Sequence, residues 1–154
     1  MLKQEIANLK PLKIIRKHIV DRGDNTYNLF LDDFRVPADA FNYLGNPIYL
    51  KKDWVIVRSY DEFVKYIEEN GLPEVISFDH DLADFHYDVQ DHVDQDYYDL
   101  CEEKTGYHCA KWLVNYCIDN KKELPQTIMI HSMNVVGSKN IDSLFKSYIK
   151  FLNS

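Results

Sequence analysis

Short apolar segments that run directly into acidic or polar residues constrain the fold of this chain more than any other feature. Three segments share this pattern: YNLFL before Asp32-Asp33, EVISF before Asp79-His80-Asp81, and TIMI before His131-Ser132. Apolar runs of this length are typical of strands buried on both faces, and the polar residues mark where each strand leaves the core. A fourth run, WVIV at residues 54–57, has the same composition. The sequence therefore predicts four core strands.

Helical segments separate these strands. Ser59 and Thr105 are the predicted caps of two helices, and a third helix is predicted to open at the Gly137-Ser138 turn. Strands that alternate with helices predict an α/β fold, a three-layer sandwich around a mainly parallel sheet with right-handed crossovers. Two segments are less regular: residues 37–52 are expected to form a loop, and residues 13–20 fit a strand or a helix equally well.

A chain of 154 residues, 45% of them hydrophobic, has the size of one domain with a substantial core. We expect a basic N-terminal extension at residues 1–24 and a folded domain at residues 25–154, with an acidic insertion at residues 82–104. The net charge is −7, and the stretch 79–103 contains ten acidic residues and no Lys or Arg. Such a segment is a cation site, a solvated loop or a decoy surface, and a solvated loop is the commonest of the three.

Cysteine usage and hydropathy favour a cytoplasmic location. Cys101, Cys109 and Cys117 include no C-x-x-C pair and cannot all pair with one another, which indicates a reducing compartment. No apolar run approaches the roughly 20 residues that a membrane-spanning helix needs. The N-terminus lacks the uninterrupted apolar stretch of a secretory signal. No membrane partner is therefore expected, and the oligomeric state is left open.

The polar residues that follow the strands predict a metal site. In an open α/β sheet, ligands bind beyond the carboxyl ends of the strands. Asp32, Asp33, Asp79 and Asp81 are therefore expected at one rim of the sheet. Four neighbouring carboxylates repel one another unless a cation lies among them. Oxygen ligands suit a hard divalent cation, Mg²⁺ or Mn²⁺, which recruits phosphate oxygens and activates water.

Other residues at the same rim suit a phosphate group. Ser132 and Asn134 are candidate hydrogen-bond donors to phosphoryl oxygens, and His131 is a candidate acid or base. The turn at residues 137–140 is predicted to open a helix whose N-terminus favours an anion.

Each of these groups also has a purely structural interpretation. Acidic pairs are common in ordinary polar turns, and only their joint occurrence at two strand ends favours a metal site. His80 fits a structural hydrogen-bonding role as well as a direct one. His86 and His92, in the acidic insertion, are interpreted as solvated side chains rather than as transition-metal ligands.

Four stretches of the sequence resemble a known family in content and order: LFLDDFRVP, SYDEFVKYIEENGLPEVISFDHDLAD, EKTGYHCAKWLVNYC and IHSMNVVGSKNI. They are similar to the cyclic-phosphate-processing receiver-like family, over about residues 27 to 149. Receiver domains place an acidic pair after their first strand, an aspartate after the third and a Ser or Thr after the fourth. Here Asp32-Asp33, Asp79 and Ser132 match these positions. The resemblance implies a receiver-like, flavodoxin-like topology.

The resemblance also implies roles for individual residues. The acidic metal site corresponds to Asp32, Asp33, Asp79 and Asp81. The phosphate-facing or catalytic positions correspond to His80, His131, Ser132 and Asn134. Arg35, in the first stretch, suits a bidentate clamp on phosphate. The sequence lacks a standard last strand and the Lys that follows it in a receiver, and whether Lys139 replaces that Lys is left open.

The function that the resemblance implies is a metal-dependent phosphoesterase acting on cyclic phosphates, either RNA 2′,3′-cyclic phosphate ends or cyclic nucleotide signals. The family is associated with RNA repair and with bacterial and phage conflict systems. The expected partner is a phosphate-containing small molecule or an RNA end. The alternative is a non-enzymatic receiver-like module that binds metal or phosphate and regulates a partner.

Two further hypotheses rank lower. In a haloacid-dehalogenase-type phosphatase, the D-x-D motif precedes the acidic pair, whereas Asp79-His80-Asp81 follows Asp32-Asp33 in this chain. An anionic mimic of nucleic acid usually spreads its charge along a whole face, whereas here the charge lies in one segment.

Overall fold

The computed structural model describes residues 12–13, 27–51, 53–82 and 104–154, and for residues 12–13 only the backbone. The predictions for His86 and His92, and for most of the acidic insertion and the N-terminal extension, concern residues outside these ranges. Within these ranges, five strands form one sheet: β1 (Leu12–Lys13), β2 (Asn28–Leu31), β3 (Trp54–Val57), β4 (Val75–Phe78) and β5 (Thr127–Ile130).

The order of the strands across the sheet is β1-β5-β4-β2-β3. The pairs β2–β3, β2–β4 and β4–β5 are parallel, whereas β1 pairs with β5 in the antiparallel direction. The four parallel strands follow the flavodoxin-like order, in which the first strand lies between the second and the third. The receiver-like α/β fold is therefore confirmed. The place beside β5, where a receiver has its fifth parallel strand, belongs to β1.

Four α-helices and one 3₁₀ helix are present in the part of the chain that the structure describes. They are α1 (Pro37–Leu44), the 3₁₀ helix (Pro47–Leu50), α2 (Tyr60–Asn70), α3 (Gly106–Asp119) and α4 (Val135–Leu152). Ser59 and Thr105 occupy the N-cap positions of α2 and α3, as predicted, and the Ser59 hydroxyl accepts the Glu62 N–H at 3.1 Å. None of these helices is long and apolar enough to cross a bilayer.

Helices cover both faces of the sheet. Alternate residues of a strand point to opposite faces, and β2 shows the consequence. Leu29 and Leu31 pack in a cluster with buried residues of α2, α3 and α4. Phe30 packs in a second cluster on the other face, with Ala40 of α1 and Tyr49 of the 3₁₀ helix. Burial on both faces explains why the strands are almost continuously apolar.

The prediction of an irregular loop at residues 37–52 is wrong, because α1 and the 3₁₀ helix lie there. Pro37 at the first helical position and Gly45 after the last, at φ 74°, are ordinary start and stop signals. The usual Ser, Thr or Asp cap is absent, since Val36 occupies that position. The Asp39 carboxylate compensates by accepting the Val36 N–H at 2.9 Å.

The predicted start of α4 is also displaced. Asn134 is the N-cap, and its side-chain oxygen accepts the Gly137 N–H at 2.8 Å. Gly137 and Ser138 consequently lie inside the first turns of the helix and are buried, rather than forming a turn ahead of it.

Candidate metal and phosphate site

Three polar residues stand directly beyond three neighbouring parallel strands. The N–H groups of Asp32, Asp79 and His131 donate to backbone carbonyls of the next strand, at distances of 3.1, 2.9 and 2.9 Å respectively. These bonds extend the sheet by one residue and hold each backbone in register. Residues that are far apart in the sequence therefore meet at one rim, as the strand pattern predicted.

Three carboxylates form a group at this rim. Asp32 and Asp79 are buried and Asp33 is partly buried, and one oxygen from each lies within 4.8 Å of the others. This set of hard oxygen donors fits a divalent cation such as Mg²⁺ or Mn²⁺. Asp81 lies outside the group, because its exposed carboxylate bonds with His80 and Asn134 instead. Its part in binding a cation stays a prediction.

Asp32 has several partners that favour its ionised form. Its Oδ1 accepts the backbone N–H groups of Phe34 at 2.9 Å and Arg35 at 2.7 Å, and its Oδ2 lies 2.9 Å from Nε2 of His131. The Arg35 guanidinium lies 3.6 Å from the same Oδ2. Burial raises the pKa of Asp32, but the bonds to His131 and the backbone outweigh burial and lower that pKa to about 2.

A buried chain of hydrogen bonds runs behind Asp32. His131 is fully buried, its Nδ1 lies 2.7 Å from the Ser77 hydroxyl, and that hydroxyl lies 2.8 Å from the Tyr49 hydroxyl. Burial lowers the pKa of His131. We therefore assign a neutral ring that donates from Nε2 to Asp32 and accepts at Nδ1 from Ser77, whose oxygen accepts from Tyr49. Phe30 stacks on the ring, with centroids 4.2 Å apart. Both ring nitrogens of His131 are thus engaged, and the ring orients Asp32.

Asp79 is in the opposite electrostatic condition. Burial raises its pKa, and repulsion from Asp32 raises it further, to about 7. The Ser132 hydroxyl donates to the carboxylate and the His80 N–H donates to Oδ1 at 2.8 Å, but these bonds offset only part of the increase. A cation between Asp32 and Asp79 relieves this repulsion, so the electrostatics agree with the donor set.

Two glycines hold His80 beside the carboxylates. A Cβ on Gly137 would lie 2.3 Å from Cγ of His80. A Cβ on Gly106 would lie 1.7 Å from the carbonyl oxygen of Asp79, the residue before His80. Neither position therefore admits a side chain. The His80 ring is 17% exposed, and its Nδ1 bonds to Asp81 at 2.9 Å.

Asn134 and Asp81 complete this edge of the site. The Asn134 amide donates to Asp81 at 3.2 Å and lies 3.4 Å from Nδ1 of His80. A cleft of about 590 Å³, a volume typical of ligand pockets, adjoins the His80 ring. Its other lining residues come from the start of α3 and from α4: Thr105, Tyr107, Asn140, Ser143, Leu144 and Ser147. The described residues that line it include no carboxylate.

Three supporting residues are missing from the sequence predictions: Tyr49, Arg58 and Ser77. Arg58 donates to the carbonyl oxygens of Arg35 at 2.6 Å and Asp32 at 3.3 Å. Ser77 was detectable as a hydroxyl inside an apolar strand, where a buried polar group requires a partner. Tyr49 and Arg58 approach the site only through the tertiary fold. Lys139 is exposed in α4.

The profile of a protein family described as "cyclic-phosphate processing receiver domain" matches residues 27–147 of this chain. Neither the curated proteins nor the solved structures gave a match. The matched range contains all the residues of the site described above, including the chain behind Asp32 and the cleft beside His80.

Proposed function

The chain belongs to the family of cyclic-phosphate processing receiver domains, and on this premise we propose that it is a metal-dependent phosphoesterase that hydrolyses cyclic phosphates. Suitable substrates are RNA 2′,3′-cyclic phosphate ends and cyclic nucleotides. The observation that supports this proposal most is the group of three carboxylates, whose oxygens lie within 4.8 Å of one another. Asp32, Asp33 and Asp79 are the proposed ligands of Mg²⁺ or Mn²⁺.

A divalent cation in this place supplies positive charge for the phosphate oxygens and activates water for attack on phosphorus. Arg35 is 22% exposed and braced by Asp32, so its guanidinium is placed to bind a non-bridging phosphate oxygen. Ser132 positions Asp79 through the hydrogen bond that it donates. The Asn134 amide, at the partly exposed edge, is a second donor for the phosphate.

Hydrolysis forms a P–O bond to the oxygen of water and breaks one P–O bond of the ring. The attacking water releases one proton to solvent, and the leaving alkoxide takes up one proton. His80 is the proposed proton donor because its ring reaches the solvent-facing edge and Asp81 orients it. His131 is fully buried with both nitrogens bonded, so its proposed role is to position Asp32.

Turnover of a panel of cyclic phosphates tests the proposal. Metal-stripped protein is supplied with Mg²⁺, Mn²⁺ or EDTA and then incubated with nucleoside 2′,3′-cyclic phosphates, an RNA ending in a 2′,3′-cyclic phosphate, and 3′,5′-cyclic nucleotides. Phosphorus NMR identifies ring opening. We expect turnover with metal and none with EDTA.

Two variants make this experiment specific. Asp79→Asn should abolish turnover, whereas the matched change Asp119→Asn, at an exposed position in α3, should leave it intact. If no member of the panel is opened in the presence of either metal, the proposed function is wrong.

One observation favours the alternative of a non-enzymatic receiver-like module. Asp79 follows the third parallel strand and is hydrogen-bonded by Ser132, which follows the fourth, as in a phosphoacceptor site. The antiparallel β1 beside β5 weighs against it, because the described residues contain no fifth parallel strand to deliver the receiver Lys.

Intact-mass measurement after incubation with acetyl phosphate and Mg²⁺ distinguishes the enzyme from the non-enzymatic module. A labile adduct of one phosphoryl group that Asp79→Asn removes supports the alternative.

A further inference from the structure

Phe34 is an exposed aromatic side chain beside the group of three carboxylates. It follows Asp32 by two residues and is 66% exposed, whereas Phe30, Phe63 and Phe78 are fully buried. Exposing a phenylalanine forgoes the stabilisation that its burial gives. An exposed ring beside a polar site is therefore a candidate contact surface for a ligand.

The loop that carries Phe34 is well fixed. The Phe34 and Arg35 N–H groups donate to the Asp32 carboxylate at 2.9 and 2.7 Å. From the other side, Arg58 donates to the carbonyl oxygens of Asp32 and Arg35 at 3.3 and 2.6 Å. These hydrogen bonds fix the backbone from which the Phe34 ring projects.

Arg35 links the ring to the acidic group. Its guanidinium carbon lies 4.6 Å from the centroid of the Phe34 ring and 5.7 Å from that of Tyr43. The same guanidinium lies 3.6 Å from the Asp32 carboxylate. Two carboxylates, an exposed aromatic ring and a guanidinium therefore follow one another along a single short loop. A nucleoside phosphate presents the complementary groups, a phosphate and a flat base.

We propose that Phe34 is a base-stacking residue, which binds the base of the nucleoside cyclic phosphates proposed above and makes the site prefer them to cyclic phosphates without a base. This inference rests on the proposed function for the location of the phosphate. Stacking on an aromatic side chain tolerates all bases because each has a π-face. Selectivity is then for the presence of a base and not for its identity.

Paired substrates test the inference. The KM for adenosine and uridine 2′,3′-cyclic phosphate is compared with the KM for glycerol 1,2-cyclic phosphate, which has no base. Stacking on an aromatic residue contributes about 1–3 kcal/mol per base, so Phe34→Ala should raise the ratio of nucleoside KM to glycerol KM about 5- to 150-fold. Phe34→Tyr should restore the ratio.

A matched control is available in Phe151 of α4, which is 72% exposed. Phe151→Ala removes an equally exposed ring elsewhere and should not change the ratio. A second measurement needs no turnover: in Phe34→Trp, adenosine 3′-monophosphate should quench indole fluorescence beyond the change seen in the wild-type protein.

Several outcomes overturn the inference. One is an equal effect of Phe34→Ala on both substrate classes, which indicates a role in the loop itself. Another concerns Tyr107, in the cleft beside His80. If Tyr107→Ala raises the KM for the nucleoside substrates and Phe34→Ala does not, the base binds in the cleft and not on Phe34. If the wild-type protein opens none of these substrates, the proposed function fails. The quenching of Phe34→Trp then decides the stacking separately, and its absence overturns this inference too.

Discussion

The ends of β2 and β4 hold two aspartates in nearly equivalent positions with opposite electrostatics. Asp32 and Asp79 each stand one residue beyond a buried strand, and both are buried. Burial raises the pKa of both carboxyls. At Asp32 the hydrogen bonds of His131 and the backbone reverse the effect and give a pKa of about 2, whereas at Asp79 the charge of Asp32 adds to it and gives about 7.

The difference shows that partners, and not depth, decide whether a buried carboxylate is stable. At the end of β2, the charge of Asp32 is stabilised by the protein alone, because each of its carboxylate oxygens accepts hydrogen bonds from this chain. At the end of β4, the ionised form of Asp79 becomes favourable only when a cation binds beside it. A site that binds a ligand at the expense of the stability of the fold behaves in this way. The following predictions test this contrast, beginning with the largest expected effect.

Neutralising the two aspartates should change stability in opposite directions. In EDTA at mildly alkaline pH, Asp32→Asn should lower the free energy of unfolding by about 3 kcal/mol, since it leaves the His131 N–H and Arg35 without their charged partner. Asp79→Asn should raise that free energy by about 1 kcal/mol or more, because it removes a repelled charge. Urea unfolding measures both.

The same two variants share one effect. Both should weaken Mg²⁺ or Mn²⁺ binding about 100-fold or more, as measured by calorimetry, since each loses a proposed ligand. Asp119→Asn, at an exposed position, controls for the loss of one negative charge. Equal destabilisation by Asp32→Asn and Asp79→Asn would contradict the contrast.

The metal-free protein should lose stability as pH rises through the range in which Asp79 ionises. The unfolded chain releases this proton near its ordinary pKa of about 3.9, and the folded chain near 7. The folded state therefore binds more protons between these values, so the contribution of Asp79 falls from about pH 4 to pH 7 and is constant above.

Asp32 acts in a lower window and with the opposite sign. Its folded pKa of about 2 lies below its unfolded value, so its contribution is present above about pH 4 and is lost as pH falls through 2. Saturating Mg²⁺ should abolish the pH dependence of stability between about pH 4 and pH 7, which comes from Asp79, and leave the dependence from Asp32 unchanged. Thermal or urea unfolding across pH, with Asp79→Asn as reference, measures this. An upper window that persists in Asp79→Asn argues against the assignment.

Removing the support behind Asp32 should have a smaller effect than removing Asp32. Ser77→Ala deletes the donor to Nδ1 of His131 and should weaken metal binding about tenfold, with a loss of about 1 kcal/mol in stability. The ¹⁵N shifts of the His131 ring report the tautomer directly, and the wild-type ring should stay protonated on Nε2. If the proton resides on Nδ1, the direction of the chain is reversed.

The smallest effect is expected at Asp81. Its exposed carboxylate lies outside the three-carboxylate group, so Asp81→Asn should change metal affinity by less than about threefold and stability by less than about 0.5 kcal/mol. Turnover should fall more than affinity, because Asp81 orients His80. A loss of metal binding as large as that of Asp79→Asn would make Asp81 a ligand.

The sequence predicts this fold well where local signals agree with the tertiary structure. The four parallel strands are almost continuously apolar, and Ser59 and Thr105 are residue types that commonly precede helices and do occupy the N-cap positions. It fails at α1, where a carboxylate three residues inside the helix replaces the usual cap. It fails also at the start of α4, where the Asn134 side chain determines the first turn.

The candidate site divides in the same way. The grouping of Asp32, Asp33 and Asp79 follows from strand ends in a parallel sheet, which sequence pattern reveals. Burial and partner choice do not follow from pattern. Whether His131 faces the phosphate or the core depends on Ser77 and Tyr49, which meet it only through packing of the 3₁₀ helix on the sheet.

The antiparallel edge strand has a consequence for the order of folding. Its pairing joins residue 12 to residue 128, two positions far apart in the sequence. That contact forms only after the last core strand exists, and it closes the longest loop in the sheet, which carries the largest entropic cost. During synthesis, β1 leaves the ribosome before the four parallel strands, yet it should be the last of the five strands to join the sheet. The four parallel strands and the acidic rim are complete before it arrives.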